Sequence, residues 1–205
     1  MYCSPCPFRR QFRAGREGSG LQWLLVACLV FLLLVLARPA PAGAAASEYA
    51  LKAALMYKLT RFVRWPDGRD HRPDNTFGVC LLGRDDFGPA LDALQGRTVN
   101  GLPITVHRFS QSREINRDCQ MLFISDSKKA FVGPITGTLA DQAVLTIGDC
   151  SGFAEGGGMI QFVHHGRRVG FRINLHRVRE AGLKVAAPLL QLATIVDGPP
   201  GGGDR

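Results

Sequence analysis

The feature that most constrains the fold is an alternation of short apolar segments with amphipathic ones between residues 76 and 149. Two segments have helical spacing: DFGPALDALQG (86–96), and SKKAFVGPITGTLAD (127–141) with an interruption near Gly133-Pro134. Strands that alternate with helices favour a mostly parallel, Rossmann-like sheet with helices on its faces, so we predict a single α/β domain. The predicted strands are TFGVCLLG (76–83), LPITVHRF (102–109), CQMLFIS (119–125) and AVLTIGD (143–149).

A helix is predicted ahead of the first strand, from Ser47 to about Arg64. Its apolar residues recur at three- and four-residue spacing, and its cations, Lys52 among them, are expected mostly on the solvent side. Trp65-Pro66 should end it, because the residue before a proline is disfavoured in helical geometry. The apolar residues are Leu51, Leu55, Leu59 and Phe62.

The part of the chain after residue 158 has a different pattern. MIQFVHH (159–165) and RVGFRIN (168–174), joined by Gly166-Arg167, indicate a β-hairpin. Two helices are predicted next, at Leu175–Gly182 and Ala187–Val196. The tail DGPPGGGDR (197–205) should be disordered, since glycine, proline and charge dominate it.

The first 46 residues have the layout of a cleaved secretory signal peptide. Four arginines between residues 9 and 16 precede a continuous apolar run from Leu21 to Leu36, and small residues follow it. We predict cleavage near Ala46–Ser47 and a periplasmic domain over 47–196. A membrane anchor is the alternative, but the run is shorter than the ~20 residues that span a bilayer. Arg9-Arg10 leaves open whether export uses the general or the twin-arginine route.

Charge and cysteine content change with that cleavage. Residues 1–46 carry five of the 25 Lys and Arg and one of the 17 Asp and Glu, so the net charge falls from +8 to +4. No basic stripe with interleaved aromatic residues remains, which argues against a nucleic-acid partner. Three cysteines remain, and in an oxidising compartment they imply one disulfide and one free thiol. Cys80 lies in the first predicted strand and Cys119 begins the third, and these strands are commonly neighbours. We therefore predict a Cys80–Cys119 disulfide and a free thiol at Cys150.

No catalytic, cofactor or metal site is predicted. The turn Gly83–Gly88 lies between a strand and a helix but lacks the Lys-Ser/Thr of a phosphate loop, so a tight turn with Asp85 or Asp86 as helix cap is favoured. His164 and His165 are adjacent in a strand and point to opposite faces. Asp149 and Glu155 lie near one glycine-rich loop; they could form an acid–base pair, although a role in holding the loop is favoured.

That loop, GFAEGGGMIQF (152–162), has three interpretations. It could bind an anion, although a strand rather than a helix follows it. Its glycines could permit positive φ and close passage of the backbone, the interpretation that the residues favour. Its side chains could in addition form a partly apolar partner surface. The candidate partner-binding residues are Phe153, Glu155, Met159, Ile160 and Phe162.

The order of these segments resembles the YfiR family of periplasmic regulators over nearly all of residues 48–196. The segments that carry the resemblance are SEYALKAALMYKLTRFVRWP, FGVCLLGRDDFGPALDALQGRTVNGLPITV, CQMLFIS, AVLTIGDCSGFAEGGGMIQF and VGFRINLHRVREAGLKVAAPLLQLATIV. The resemblance implies a non-catalytic exported domain that represses the periplasmic sensor domain of an inner-membrane diguanylate cyclase, and so controls cyclic di-GMP and biofilm formation.

The resemblance also implies a homodimer and a redox-sensitive disulfide. Cys80 and Cys119 match the family's cysteine pair. Cys150 matches the first cysteine of a further pair found in some members, whose second position falls near Gly157 here, so that second bridge should be absent. The alternative hypothesis is a small-molecule sensor serving another membrane receptor, such as a histidine kinase. Its ligand would lie where the loops Gly83–Gly88, Ser125–Lys128 and Asp149–Gly158 meet.

Overall fold

The computed structural model of the chain describes residues 23–29, 42–66, 75–115, 118–165 and 168–196. The chain divides into two compact units, Met1–Ala42 and Gly43–Arg205. In the first unit, residues 23–29 are helical. Among the described helices, none combines the length and the apolar character that crossing a membrane requires. Most of the predicted signal peptide and the whole tail 197–205 lie outside the described residues.

The first helix of the second unit, α1, spans Ala42–Leu59 and contains the predicted cleavage position. The helix begins five residues before the predicted start at Ser47, and the prediction that it continues to Arg64 is also wrong. After a turn, Val63–Arg64 form the short strand β1, which pairs antiparallel with β9, Lys184–Val185. Val63 is buried, so its β-branched side chain contributes to the core from a strand instead of a helix.

The central sheet has eight strands in the order β10-β8-β7-β6-β5-β2-β4-β3. Neighbours are parallel except for the pairs β7–β8 and β3–β4. All four strands predicted between residues 76 and 149 are present, and the first and third, β2 and β5, are adjacent. The strands are β2 (Phe77–Leu82), β3 (Thr98–Val99), β4 (Leu102–Phe109), β5 (Met121–Ile124), β6 (Leu145–Gly148), β7 (Ile160–His165), β8 (Arg168–Asn174) and β10 (Ala193–Val196).

The helices that flank the sheet are short: α2 (Pro89–Asp92), α3 (Val132–Thr138), α4 (Leu175–Glu180) and α5 (Ala187–Gln191), with 3-10 turns at Ser112–Glu114 and Asp126–Phe131. The predicted helix Ala187–Val196 is half wrong, because its last four residues form β10 beside β8. Three of those four residues, Thr194, Ile195 and Val196, are β-branched and suit a strand. The helix predicted at 127–141 is a 3-10 turn followed by α3, and the interruption predicted near Gly133-Pro134 is wrong, because both residues lie in the first turn of α3, where proline is tolerated.

The sheet buries both of its faces, which we call side A and side B. Phe77, Val79 and Leu81 of β2 point to side A, where α1, α2, α4 and α5 pack. Cys80 and Leu82 point to side B, where α3 and the loop after β6 pack. Strands covered on both faces are apolar along their whole length, which explains why the central strands are continuous apolar runs in the sequence.

Candidate functional site

In the structure, residues 160–162 of the predicted loop belong to β7, and we keep the name glycine-rich loop for residues 150–158. This loop lies over side B and encloses the Phe153 side chain. The Phe153 ring is buried, and a Cβ on Gly148 would lie 2.5 Å from it. A Cβ on Gly158 would overlap the same ring. The Gly158 N–H donates to the Phe153 carbonyl at 2.9 Å. These two glycines are therefore required by the close approach of the ring, and the ring fills the space that their side chains would occupy.

Polar side chains from β6, β7, β8 and α4 hold the loop in place. Asn174 Nδ2 donates to the Ala154 carbonyl at 2.9 Å, and Arg177 Nε donates to the Gly157 carbonyl at 3.3 Å. Gln161 Oε1 accepts from the Ala154 N–H, and Thr146 Oγ1 accepts from the Met159 N–H. The loop backbone therefore passes close to other parts of its own chain, which agrees with the prediction that its glycines permit close passage of the backbone.

The prediction of an apolar partner surface on this loop is wrong for its four apolar side chains. Each is at most 4% exposed, and they belong to the cores of the two sides. Phe153, which lies in the loop before the strand, points to side B. Ile160 and Phe162 of β7 both point to side A, since residues two apart in a strand share a face. The four side chains are Phe153, Met159, Ile160 and Phe162.

Glu155 does not join Asp149 in a carboxylate pair. It is about one-third exposed and forms an ion pair with Arg172 of β8, while Asp149 pairs with Lys52. Each carboxylate is thus neutralised by a different cation. The arrangement stabilises the loop and its surroundings, and the two groups are not placed to share a proton.

The predicted disulfide Cys80–Cys119 is present on side B, with its Cα atoms 5.7 Å apart. Cys150 has a free thiol and is buried in the same apolar cluster. Burial, reinforced by the negative charges of Asp126 and Asp149, raises the pKa of this thiol, which keeps it in the less reactive protonated form.

Gly157 has φ +101°, a conformation that disfavours any residue with a side chain. A Cβ there would lie 2.9 Å from Thr136 Oγ1, with Arg177 as the next neighbour. The position is therefore built for glycine, and a cysteine would have to change the local backbone before it could reach Cys150.

A charged cluster lies at the carboxyl edge of the sheet, centred on Lys52 of α1. The Lys52 side chain is 3% exposed, and its Nζ contacts Asp149 Oδ2 at 2.6 Å and Glu48 Oε1 at 2.5 Å. Burial lowers the pKa of Lys52, but hydrogen bonds to Asp149 and Glu48 outweigh that effect, so its pKa lies above the ordinary value. The hydrogen bond to Lys52 lowers the pKa of Glu48.

The rim of this cluster connects α1 with two further strands. His164 Nε2 of β7 lies 3.2 Å from Glu48 Oε1, and the Lys52 ammonium lies 4.3 Å from the Tyr49 ring centroid. The Tyr49 hydroxyl donates to Asp86 Oδ2 at 3.4 Å, next to the turn after β2. Burial, the largest cause, raises the pKa of Tyr49. The cluster fixes the middle of α1 onto the ends of β2, β6 and β7.

The prediction that Lys52 lies on the surface is wrong. The helical pattern places Lys52 next to the apolar stripe, and its i,i+4 relation to Glu48 is visible in the sequence. Its second partner, Asp149, is 97 residues away along the chain. Only the three-dimensional structure reveals that contact, which is the one that makes burial of the ammonium tolerable.

The turn Gly83–Gly88 is a tight turn, as predicted, but the predicted helix cap by Asp85 or Asp86 is wrong, because the N-cap of α2 is Gly88 and no side chain caps it. Asp85 Oδ1 accepts from the N–H groups of Phe87 and Gly88, both at 2.9 Å, just before α2. The Arg84 N–H donates to Ser127 Oγ at 2.9 Å, and a Cβ on Gly83 would lie 2.5 Å from that oxygen. The first two loops of the predicted ligand crevice therefore pack directly on each other. Among the described residues, no group of three metal-ligating side chains is assembled.

Four apolar side chains of the second unit are well exposed, and none of them belongs to the glycine-rich loop. Leu192 is 71% exposed and Ile195 of β10 is 44% exposed. β10 is also the last strand of the sheet, so one backbone edge has no partner strand among the described residues. Elsewhere, Phe131 at the end of the 3-10 turn is 59% exposed, and Leu51 of α1 is 44% exposed.

Comparison with known proteins identifies the family. A family model described as YfiR/HmsC-like matches residues 49–194, which include nearly all of the α/β unit. The chain belongs to the YfiR/HmsC-like family. The YfiR/HmsC-like family is periplasmic and generally regulatory, in the context of diguanylate cyclase signalling. No curated protein matches the chain.

Proposed function

We propose that this YfiR/HmsC-like domain is a non-catalytic periplasmic regulator. It would bind and repress the periplasmic sensor domain of an inner-membrane signalling protein, specifically a diguanylate cyclase. The observation that carries the proposal is the family match over residues 49–194. The domain would favour the inactive arrangement of its partner by binding that state more tightly than the active one.

The open edge of the sheet is the surface that we assign to this partner. Leu192 and Ile195 expose apolar area beside a strand whose outer N–H and C=O groups have no neighbouring strand among the described residues. An extended segment of the partner can add to such an edge, with backbone hydrogen bonds for affinity and apolar contacts for register. This assignment replaces the buried side chains of the glycine-rich loop.

The experiment measures cyclic di-GMP in a strain that produces the cyclase, with the regulator gene deleted and then restored. Deletion should raise cyclic di-GMP, and the wild-type gene should lower it again. Ile195→Asp should fail to lower it, because a carboxylate in an apolar interface is costly. Leu51→Asp is the matched control, since Leu51 is equally exposed but lies on α1.

Two outcomes would overturn parts of the proposal. Unchanged cyclic di-GMP after deletion would exclude regulation of a cyclase. Full repression by Ile195→Asp, with the variant folded and exported normally, would exclude the β10 edge. Co-purification of the domain with the detergent-solubilised cyclase tests direct binding in the same variants.

We also propose that the domain is a homodimer, as the family resemblance implies. Sedimentation equilibrium of the domain over a range of concentrations tests this. A single species of monomer mass at all concentrations would be the contrary result. The measurement should include Ile195→Asp, because loss of the dimer in that variant would mean that the β10 edge pairs with a second copy.

A further inference from the structure

A cavity of about 310 Å³ opens between the 3-10 turn Ser112–Glu114, which follows β4, and the segment 126–138 on side B of the sheet. Its volume is near the lower limit of pockets that hold small organic ligands, roughly 300–1,000 Å³. Phe131, Pro134 and Ile135 form an apolar wall, and Ser112, Thr138 and Lys128 supply polar groups. We propose that this cavity binds a small organic anion with a flat apolar body.

The positive charge comes from Lys128, and it is available. Lys128 forms no ion pair with any residue in the described part of the chain. Its stem passes close to Gly83, where an added Cβ would lie 3.0 Å from Lys128 Cγ. Among the described residues, no acidic side chain lines the cavity. The nearby Glu114 carboxylate is occupied, since it accepts from the backbone N–H groups of Ser110 and Gln111.

The apolar body is indicated by Phe131. Its ring is 59% exposed although it borders a well-packed helix, whereas Ile135, one turn further on, is 4% exposed. A flat ligand lying on the Phe131 ring would remove apolar surface of both partners from water. The Ser112 hydroxyl can then donate a hydrogen bond that fixes the orientation of a carboxylate beside Lys128, whereas the Thr138 hydroxyl already donates to the Ile135 carbonyl at 2.8 Å.

The same cavity wall belongs to the core that contains the disulfide. Ile135 packs in the side B cluster with Cys80, Cys119, Cys150 and Phe153. A ligand that orders segment 126–138 would therefore stabilise the disulfide side of the sheet. By linkage, reduction of the disulfide should weaken ligand binding by the same factor by which the ligand disfavours reduction. The inference does not depend on the identity of the membrane partner.

The test uses phenylacetate as the anionic probe and phenylacetamide as its neutral isostere. Each is titrated into the isotopically labelled mature domain, and binding is followed by NMR chemical-shift changes. We expect saturable shifts at Phe131, Ile135 and Thr138, with phenylacetate binding about 3- to 10-fold more tightly than phenylacetamide because of the charge-assisted contact with Lys128.

Substitutions assign the charge. Lys128→Met should weaken phenylacetate binding about 3- to 10-fold and leave phenylacetamide binding unchanged. Lys129→Met is the matched control, because Lys129 is the adjacent exposed cation and does not line the cavity. It should change neither affinity by more than about twofold, as expected for an exposed charge. Phe131→Ala should weaken both probes.

Three results would overturn the inference: no saturable shifts with phenylacetate up to millimolar concentrations, shifts centred away from the cavity, or equal affinity of wild type and Lys128→Met for phenylacetate. The comparison of the two probes on the wild-type domain needs no variant, so it stands even if a substitution prevents folding. The experiment contains no partner, so its failure would leave the cyclic di-GMP test of the proposed function unaffected.

Discussion

The two sides of the sheet are closed by different means. Side A is covered by helices from both ends of the domain, α1 from the beginning and α4 and α5 from the end. Its polar feature is the buried Lys52 with two carboxylates at the carboxyl edge. Side B is covered by one stretch of chain, roughly residues 126–158, that packs on a disulfide and around a single phenylalanine.

The two sides therefore depend on different interactions: contacts between distant parts of the chain on side A, and close packing and a disulfide on side B. Side A joins distant parts of the chain by apolar burial and one ion cluster, so it should respond to truncation and to pH. Side B is local, and it depends on glycines at close approaches and on the oxidised Cys80–Cys119 pair. A redox signal in the periplasm would therefore act on side B first, where the proposed ligand cavity also lies.

The largest effect is expected from filling the space next to Phe153. A Cβ in Gly158→Ala would overlap the Phe153 ring, which cannot withdraw because Gly148 approaches it from the other direction. We expect the free energy of unfolding to fall by about 3 kcal/mol or more, measured by urea denaturation. Gly137→Ala is the control, because its Cβ meets nothing within 4 Å in α3 and should stabilise by up to about 1 kcal/mol.

A double-mutant cycle identifies the cause. In a Phe153→Leu background the smaller side chain leaves room for the new methyl group, so Gly158→Ala should cost clearly less than in the wild-type chain. An equal cost in both backgrounds would mean that the loss comes from the backbone of the loop and not from the ring.

The next effect concerns the disulfide that anchors side B. Replacing both cysteines in Cys80→Ala/Cys119→Ala should lower the free energy of unfolding by about 3–4 kcal/mol, since the bridge joins residues 39 apart. Hydrogen exchange should show a local effect, with faster exchange in residues 126–139 and 150–158 than in α1. Cys150→Ala is the control for unrelated thiol chemistry. Equal loss of protection on both sides would contradict the separation of the two sides.

Side B also shows what the sequence could and could not predict. The four strands between residues 76 and 149 and the pairing of Cys80 with Cys119 were predicted correctly, because continuous apolar runs bounded by turn residues indicate buried strands whose order is constrained. The prediction of Phe153 as a partner contact was wrong, because its ring is buried. Glycines beside an aromatic residue are compatible with an exposed contact or with a ring buried between them, and only the facing Gly148 decides.

On side A the failures have a different physical origin. Lys52 was predicted on the surface because an amphipathic pattern describes one helix and contains no information about Asp149. β10 was predicted as helix because Ala187–Val196 is mostly apolar and has a proline at its second position, which a first helical turn tolerates, whereas its strand character depends on pairing with β8. In both cases a contact distant in sequence overrides the local pattern.

Breaking the ion cluster on side A is expected to cost somewhat less than losing the disulfide. Lys52→Met keeps the apolar stem but leaves Asp149, which is 11% exposed, without its cation. We expect the free energy of unfolding to fall by about 2–3 kcal/mol, below the usual cost of breaking a fully buried pair because Glu48 is well exposed to water. Arg84→Met removes an exposed cation and is the control, and its free energy of unfolding should stay close to that of the wild-type chain. A negligible effect of Lys52→Met would show that water reaches Asp149.

The smallest effect is the dependence of this cluster on pH. The folded-state pKa of Glu48 lies below its ordinary value of 4.5, so its stabilising contribution is complete above that value and is lost as the pH falls through the lowered folded-state pKa. The folded-state pKa of Lys52 lies above 10.5, so its stabilising contribution is complete below that value and is lost only at more alkaline pH.

Urea unfolding between pH 3 and pH 7 tests the contribution of Glu48. The free energy of unfolding should fall more steeply with acid in the wild-type chain than in Lys52→Met, because Lys52 is the main cause of the lowered pKa of Glu48. Cys80→Ala/Cys119→Ala should keep the wild-type slope, since the two partners of Glu48, Lys52 and His164, do not belong to the side B cluster. If the free energy of unfolding falls with acid at the same rate in the wild-type chain and in Lys52→Met, the pKa of Glu48 does not depend on Lys52. The Lys52–Asp149 contact would then be the only stabilising ion pair of this cluster.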